Sequence, residues 1–324
     1  MIIKVLEAYV NNPGDLSWEP LSAWGEVTLY DRTAREDLFA RIADVEIAIT
    51  SKIIWDKEAF EAAPCLKMIA LTSTGFNVVD LDEANRRGIV ISNVPAYSTP
   101  DVTQMTIGLL LEHCMHIGLH SDGVKKGDWV NSADFSYWKT PLIEVTGKTL
   151  GIIGMGSIGQ SVAHVACALG MQVVFVNRSR KPSAETSACR QVELEELLAT
   201  ADFVSLHCPA TPKTNNMIDA AAIARMKEGA FLINTARGTL IDEQAVAHAL
   251  KTGKLSGFAA DVVSVEPMSA TNPLLAAPHT LITPHIAWAT LEARRRLLDT
   301  VYANVGAYQN GTPQNVVTNP YQIG

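Results

Sequence analysis

Thr149-Leu150-Gly151-Ile152-Ile153-Gly154-Met155-Gly156-Ser157-Ile158-Gly159 is the stretch on which the reading of this chain turns. A short apolar run ends in the pattern G-x-G-x-x-G, from Gly154 to Gly159, and an uncharged helical pattern follows directly. Between a strand and a helix, the first glycine permits a tight turn, the second lets backbone approach a pyrophosphate, and the third lets helix and strand pack closely. The phosphates then face the amides of a helix N-terminus, which carries partial positive charge. Gly154, Gly156, Ser157, Ile158 and Gly159 are therefore expected to hold a dinucleotide. From Thr149 to Asn177 there is no Asp, Glu, Lys or Arg, a length that also suits a membrane span. Glycines, Ser157, Gln160 and His164 interrupt it, so a buried strand, helix and strand is the better reading.

Outward from this unit the alternation continues. Downstream, apolar runs at 149–153, 172–177, 203–207, 231–234, 258–261 and 281–283 predict six strands, enough for a dinucleotide-binding sheet. Upstream, runs at 2–8, 27–30, 46–50, 67–71 and 89–92 predict five more, separated by helices. Thr33-Ala34-Arg35-Glu36 reads as a capping box opening a helix to about Ala43, and Asp80 as the cap of a helix ending before Gly88. A long helix is expected over 100–121, then an aperiodic segment with Trp129, Phe135, Tyr137 and Trp138, and a last helix over 291–309. The expected fold is α/β, with two doubly wound parallel-sheet domains.

Composition narrows the function classes. At about 150 residues per domain, 324 residues suggest two domains, and 48% hydrophobic against 19% charged residues supply two cores. A net charge of -8, with no block of basic residues, argues against nucleic acid as a partner. Five cysteines without a Cys-x-x-Cys pair read as reduced thiols, hence a cytoplasmic location. The N-terminal apolar run contains Lys4 and Glu7 and reads as a first strand, not a signal peptide, so neither export nor a membrane partner is expected.

The second strand of the downstream unit ends Asn177-Arg178-Ser179-Arg180-Lys181, where an NAD site usually has a carboxylate for the ribose hydroxyl. Asn177 brings no repulsion for a 2'-phosphate, and Arg178 and Arg180 supply forks for one. The expected cofactor is NAD(P)H, with NADPH or dual use favoured; a solvated surface loop is the alternative. Arg237, Glu266 and His285 each follow a predicted strand end, the edge that forms the ligand crevice of such sheets. A ketone receiving a hydride needs a proton, for which histidine is suited; a carboxylate beside it favours imidazolium, and an arginine matches a substrate carboxylate.

These motifs together resemble the D-isomer-specific 2-hydroxyacid dehydrogenases: the glycine pattern, Asn234-Thr235-Ala236-Arg237-Gly238, Asp261 through Glu266-Pro267, and Thr283-Pro284-His285-Ile286-Ala287, in order and spacing. The glycerate dehydrogenase (hydroxypyruvate reductase) branch is the most similar, through Asn12-Pro13-Gly14-Asp15-Leu16-Ser17-Trp18, the run from Thr74 to Asp80, and His285-Ile286-Ala287-Trp288. The resemblance implies His285 as acid/base, Glu266 as its partner and Arg237 as the residue orienting a 2-oxo acid, with hydroxypyruvate/D-glycerate the first substrate pair and glyoxylate a second. It implies backbone amides of Ser73, Thr74 and Gly75 on the substrate carboxylate, and cofactor contacts at Thr103, His207, Cys208, Pro209, Thr214, Thr235, Ala236 and Asp261 as well as Arg237 and His285. It implies two Rossmann-like domains: a discontinuous, flavodoxin-like substrate domain of residues 1–99 and 290–324, and a dinucleotide-binding domain of 100–289. Within the latter, about 100–147 would form a homodimer contact.

Two further features have competing readings. His113, His116 and His120 fall on one face of the expected long helix and suggest a metal site, but no further ligand is placed, so a polar helix face is preferred and no metal is expected. Trp288 either walls the substrate pocket or is a core aromatic. A corepressor-like dinucleotide sensor on the same fold is the alternative function; turnover discriminates.

Overall fold

Five apolar runs of the first hundred residues lie side by side as parallel strands: β1 (Ile2–Val5), β2 (Glu26–Leu29), β3 (Ile47–Thr50), β4 (Met68–Leu71) and β5 (Val90–Ser92). The computed structural model describes residues 1–318. The order β2-β1-β3-β4-β5 is flavodoxin-like and reverses between β1 and β3. Every residue of β3 and β4 is buried, as strands covered on both faces require. Asp80 caps the helix Leu81–Arg86, accepting from Glu83 N at 3.0 Å. Thr33 does not make the expected capping box. Its hydroxyl donates to the Leu6 carbonyl at 2.7 Å, a competing acceptor just past β1, and Ala34 becomes the N-cap with no side-chain bond. This unit comprises Met1–Ser98 and the chain from Ala289, including the helix Leu291–Gln309. Residues 319–324, the end of the expected returning segment, lie outside the described residues.

The second unit, Thr99–Trp288, carries β6 (Thr149–Ile153), β7 (Gln172–Val176), β8 (Cys189–Gln191), β9 (Phe203–Leu206), β10 (Ala230–Asn234), β11 (Leu255–Ala260) and β12 (Thr280–Ile282). All are parallel, in the order β12-β11-β10-β9-β6-β7-β8. The chain winds out from β6 in both directions, so the crevice beyond its carboxyl end is the point where the order reverses. Seven strands stand where six were expected. The addition, β8, is three residues long, partly exposed and paired only to β7, so it has no hydrophobic pattern to betray it. Residues alternate between two cores: Leu150, Ile152 and Phe175 pack with Leu110 and Val162 on one face, and Val174, Val204 and Leu206 with Leu197 and Ile223 on the other.

The expected single helix of 100–121 is two, Thr99–Met115 and Ile117–Lys125, broken at His116 with φ +47°. The Glu112 carboxylate accepts the Gly118 amide at 3.2 Å and helps restart the second helix. The His113 and His116 rings stay in edge contact, with centroids 6.0 Å apart, but each of the outer two histidines is engaged elsewhere. His113 is buried and stacked on Phe231, with ring centroids 3.7 Å apart, while His120 Nε2 accepts from Lys139 N at 3.0 Å. Among the described residues no group of three or more His, Cys, Asp or Glu is arranged to hold a metal ion, and no helix is long and apolar enough to cross a membrane.

Candidate active site

The glycine turn after β6 is shaped by contacts that side chains would block. Gly154 has φ +102°, and a Cβ there would lie 2.6 Å from Cys208 N; one at Gly159 would lie 2.2 Å from the Gly154 carbonyl oxygen. Gly156 is different: an added Cβ meets nothing within 4 Å. It is the N-cap of the helix Ser157–Ala168 and offers no side-chain bond, so open space adjoins the helix N-terminus that Ser157, Ile158 and Gly159 begin. This cradle fits a pyrophosphate. His207 and Cys208, at the end of β9, close one side of the turn. Burial lowers the His207 pKa to about 4 and raises that of the Cys208 thiol, so both are neutral near pH 7. Thr214 Oγ1 donates to the Pro209 carbonyl at 2.8 Å and stiffens the following loop.

At the end of β7, Asn177 Oδ1 accepts from Met155 N at 3.3 Å, and Lys181 Nζ donates to the Met155 carbonyl at 2.6 Å. Both side chains are thus spent on the glycine turn. Arg180 pairs with Glu185 at 3.1 Å. Arg178 is exposed and has no side-chain partner among the described residues. Two expected cofactor residues are engaged elsewhere: Thr103 Oγ1 donates to Thr99 O at 2.8 Å within its own helix, and Thr235 Oγ1 bonds Thr106 Oγ1 at 2.9 Å.

Strand register gathers the other polar residues. Asn234 of β10 pairs with Ala260 of β11, and Ala260 with Ile282 of β12, so three neighbouring strands end level at one edge. Arg237, Glu266 and His285 follow those ends. His285 Nδ1 lies 2.7 Å from Glu266 Oε2, with side chains 28% and 31% exposed. His285 has φ +55°, an uncommon conformation held by Asp261. The buried Asp261 carboxylate accepts from Thr283 Oγ1 at 2.6 Å, Ile286 N at 2.8 Å and Ala287 N at 2.8 Å. Trp288 Nε1 donates to the His285 carbonyl at 2.8 Å and braces the same turn. Asn234 shapes the Arg237 turn, accepting from Ala236 N at 3.1 Å and donating to Arg237 O at 2.9 Å. At Gly238 a Cβ would fall 1.9 Å from Val263 C, so only glycine lets this turn press on the segment leading to Glu266. Arg237 remains exposed, with Nη1 donating to Ala236 O at 2.7 Å.

In the first unit, Ser73, Thr74 and Gly75 follow β4. Every carbonyl of this loop is taken: Ser73 O by Val94 N at 2.9 Å, Thr74 O by Asn93 Nδ2 at 2.7 Å, Gly75 O by Ser73 Oγ at 2.6 Å. The three amides have no acceptor among the described residues. Carbonyls tied back and amides left free make a concavity suited to an anion.

The family model described as D-isomer specific 2-hydroxyacid dehydrogenase, NAD binding domain, matches residues 107–287. This chain belongs to the D-isomer specific 2-hydroxyacid dehydrogenases. A hydroxypyruvate reductase of Blautia hydrogenotrophica is 44% identical over 320 residues, 98% of this chain and 99% of its own. A glycerate dehydrogenase of Methylorubrum extorquens is 39% identical, covering 87% of this chain and 88% of its own. The crystal structure of the TT0316 protein of Thermus thermophilus superposes with a TM-score of 0.86 at 34% identity, covering 98% of this chain and all of that one. The protein is an NAD-binding oxidoreductase of 2-hydroxy acids. In this D-2-hydroxyacid dehydrogenase, a histidine bonded to a carboxylate through Nδ1 can pass a proton at Nε2, and an exposed guanidinium can fork onto a carboxylate.

Sequence reasoning missed Asn234 and the bracing role of Asp261. Their signal was a polar residue at the very end of an apolar strand, which is costly to bury without partners.

Proposed function

We propose that this dehydrogenase reduces hydroxypyruvate to D-glycerate, with glyoxylate as a second substrate. The observation that carries the reading is the His285–Glu266 contact on the strand edge that also bears Arg237, supported by the 44% identity to a hydroxypyruvate reductase. A dinucleotide held by its pyrophosphate at the glycine turn would supply the hydride from its reduced nicotinamide. His285 donates the proton to the carbonyl oxygen from Nε2, while Glu266 holds the ring through Nδ1 and balances the charge. Arg237 binds the substrate carboxylate and polarises its carbonyl. The amides of Ser73, Thr74 and Gly75 take the carboxylate as well, which makes residues 1–99 with 290–324 the substrate domain, and Trp288 bounds the pocket through the turn it braces.

The cofactor is NADPH, or both dinucleotides, through Arg178, since Lys181 and Arg180 already have partners. Asp261, Thr103 and Thr235 contribute by shape rather than through their occupied polar atoms. The active form is a homodimer joined through about 100–147, a segment in which Ile117, Trp129, Val130, Phe135 and Trp138 are each exposed. The protein works in the cytoplasm, free of membrane and nucleic acid. Initial rates of NADH and NADPH oxidation across hydroxypyruvate, glyoxylate, phosphohydroxypyruvate and bulkier 2-oxo acids test this; no turnover with any of them refutes it and favours a sensor.

A further inference from the structure

The helix Leu291–Gln309 is amphipathic, yet two polar side chains on it, Arg294 at 8% exposure and Asn304 at 0%, are buried. Burying such groups is unfavourable unless they are bonded. Both are, and their bonds lead to the same place. Asn304 Nδ2 donates to the Asn93 carbonyl at 2.9 Å, and Asn93 Nδ2 donates to the Thr74 carbonyl at 2.7 Å. Behind Asn304, Asn315 Nδ2 donates to its Oδ1 at 2.8 Å, and Asn93 N donates to Asn315 O at 3.0 Å. On the other side, Arg294 forks onto Asp15 at 2.7 and 2.6 Å, and its Nε donates to the Ala289 carbonyl at 3.0 Å. Its Nη1 also reaches the Asn11 carbonyl at 3.5 Å, while Asn11 Nδ2 donates to Thr72 Oγ1 at 3.0 Å. Two relays thus run from one helix to residues 72 and 74, flanking Ser73.

We propose that Arg294 and Asn304 are positioning residues for the substrate: through Asn11 and Asn93 they hold the 72–75 loop so that its free amides converge on the carboxylate of the 2-oxo acid. This rests on the reading that the Ser73–Gly75 amides bind that carboxylate. The helix is then part of the binding apparatus as well as a lid on its own core. Side chains bonded at both ends hold their neighbours stiffly, and loosening one link widens the spread of the amides it positions.

Oxamate, a non-reducible analogue of a 2-oxo acid, is the probe, with its dissociation constant measured on the dinucleotide-loaded protein. Asn304→Ser shortens one relay; Asp15→Ala and Asn315→Gly loosen each relay from its more exposed end and serve if Asn304→Ser does not fold. Each is expected to weaken oxamate and raise the substrate KM by about tenfold, the scale of one lost bond, with kcat and dinucleotide affinity nearly unchanged. Asp15→Asn, which still accepts from Arg294, is expected to recover most of the loss. Thr74→Pro deletes a loop amide and tests the underlying reading. If it weakens oxamate while the relay variants do not, the relays are structural only and the inference is overturned with the carboxylate site intact. If Thr74→Pro leaves oxamate binding unchanged, the loop does not bind the carboxylate and both fall.

Discussion

Glu266 Oε2 lies 2.7 Å from His285 Nδ1, although the two residues follow different strands and stand 19 positions apart in sequence. The pairing is made by the sheet: β11 and β12 end in register, and Asp261 anchors the turn that carries the histidine. His285 Nε2 has no partner among the described residues.

Replacing Glu266 by Gln retains an acceptor for Nδ1 and removes the charge that balances imidazolium. Turnover in reduction is expected to fall by about 10², with dinucleotide affinity unchanged. Steady-state kinetics beside dinucleotide titration check this; wild-type turnover would remove Glu266 from the mechanism.

Arg237 presents an exposed guanidinium with a single backbone bond. Arg237→Lys keeps the charge and loses the planar fork, so catalytic efficiency is expected to drop by the equivalent of about 1–3 kcal/mol of transition-state stabilisation. The comparison is kcat/KM for hydroxypyruvate in parent and variant, and equal values refute the assignment.

Because Arg178 is the basic side chain of its run with no partner among the described residues, Arg178→Ala is expected to reduce efficiency with NADPH far more than with NADH. Asn177→Asp adds a ribose acceptor and a like charge against the 2'-phosphate, and is expected to swing the ratio toward NADH. If neither substitution moves the ratio, the basic run is a solvated loop.

His113 and His207 set an acid limit on stability. Burial lowers each native pKa from 6.5 to about 4, so below about pH 6.5 the unfolded chain binds protons that the native protein refuses. Their contribution is fully present above that value and is lost as pH falls toward 4. Denaturant unfolding at pH 7 and pH 5 is expected to show lower stability at pH 5, and His113→Gln a smaller difference between the two. Equal pH dependence in parent and variant removes His113 from this effect.

What the sequence disclosed, and what it withheld, follows from the range of the interactions. The glycine turn, Asp80 and the ends of β10 to β12 were legible because local pattern determines them. The break at His116 was not, since it depends on Glu112 reaching forward to the Gly118 amide. Thr33 was misread because the carbonyl that captured its hydroxyl lies 27 residues away in sequence. In the site, His285, Glu266 and Arg237 were found by residue type and position, but their supports at Asn234, Asp261 and Gly238 act through tertiary packing. The two relays into the 72–75 loop join residues up to 283 apart and have no local signature.

In the proposed reaction His285 gives a proton to the carbonyl of hydroxypyruvate. The measurement that reads this step is the initial rate of dinucleotide oxidation with hydroxypyruvate, for the parent and His285→Gln at matched dinucleotide saturation. The expected result is clear turnover in the parent and a loss of about 10² or more in the variant, with dinucleotide affinity unchanged. Equal rates in the two proteins, or no turnover in the parent, would contradict it.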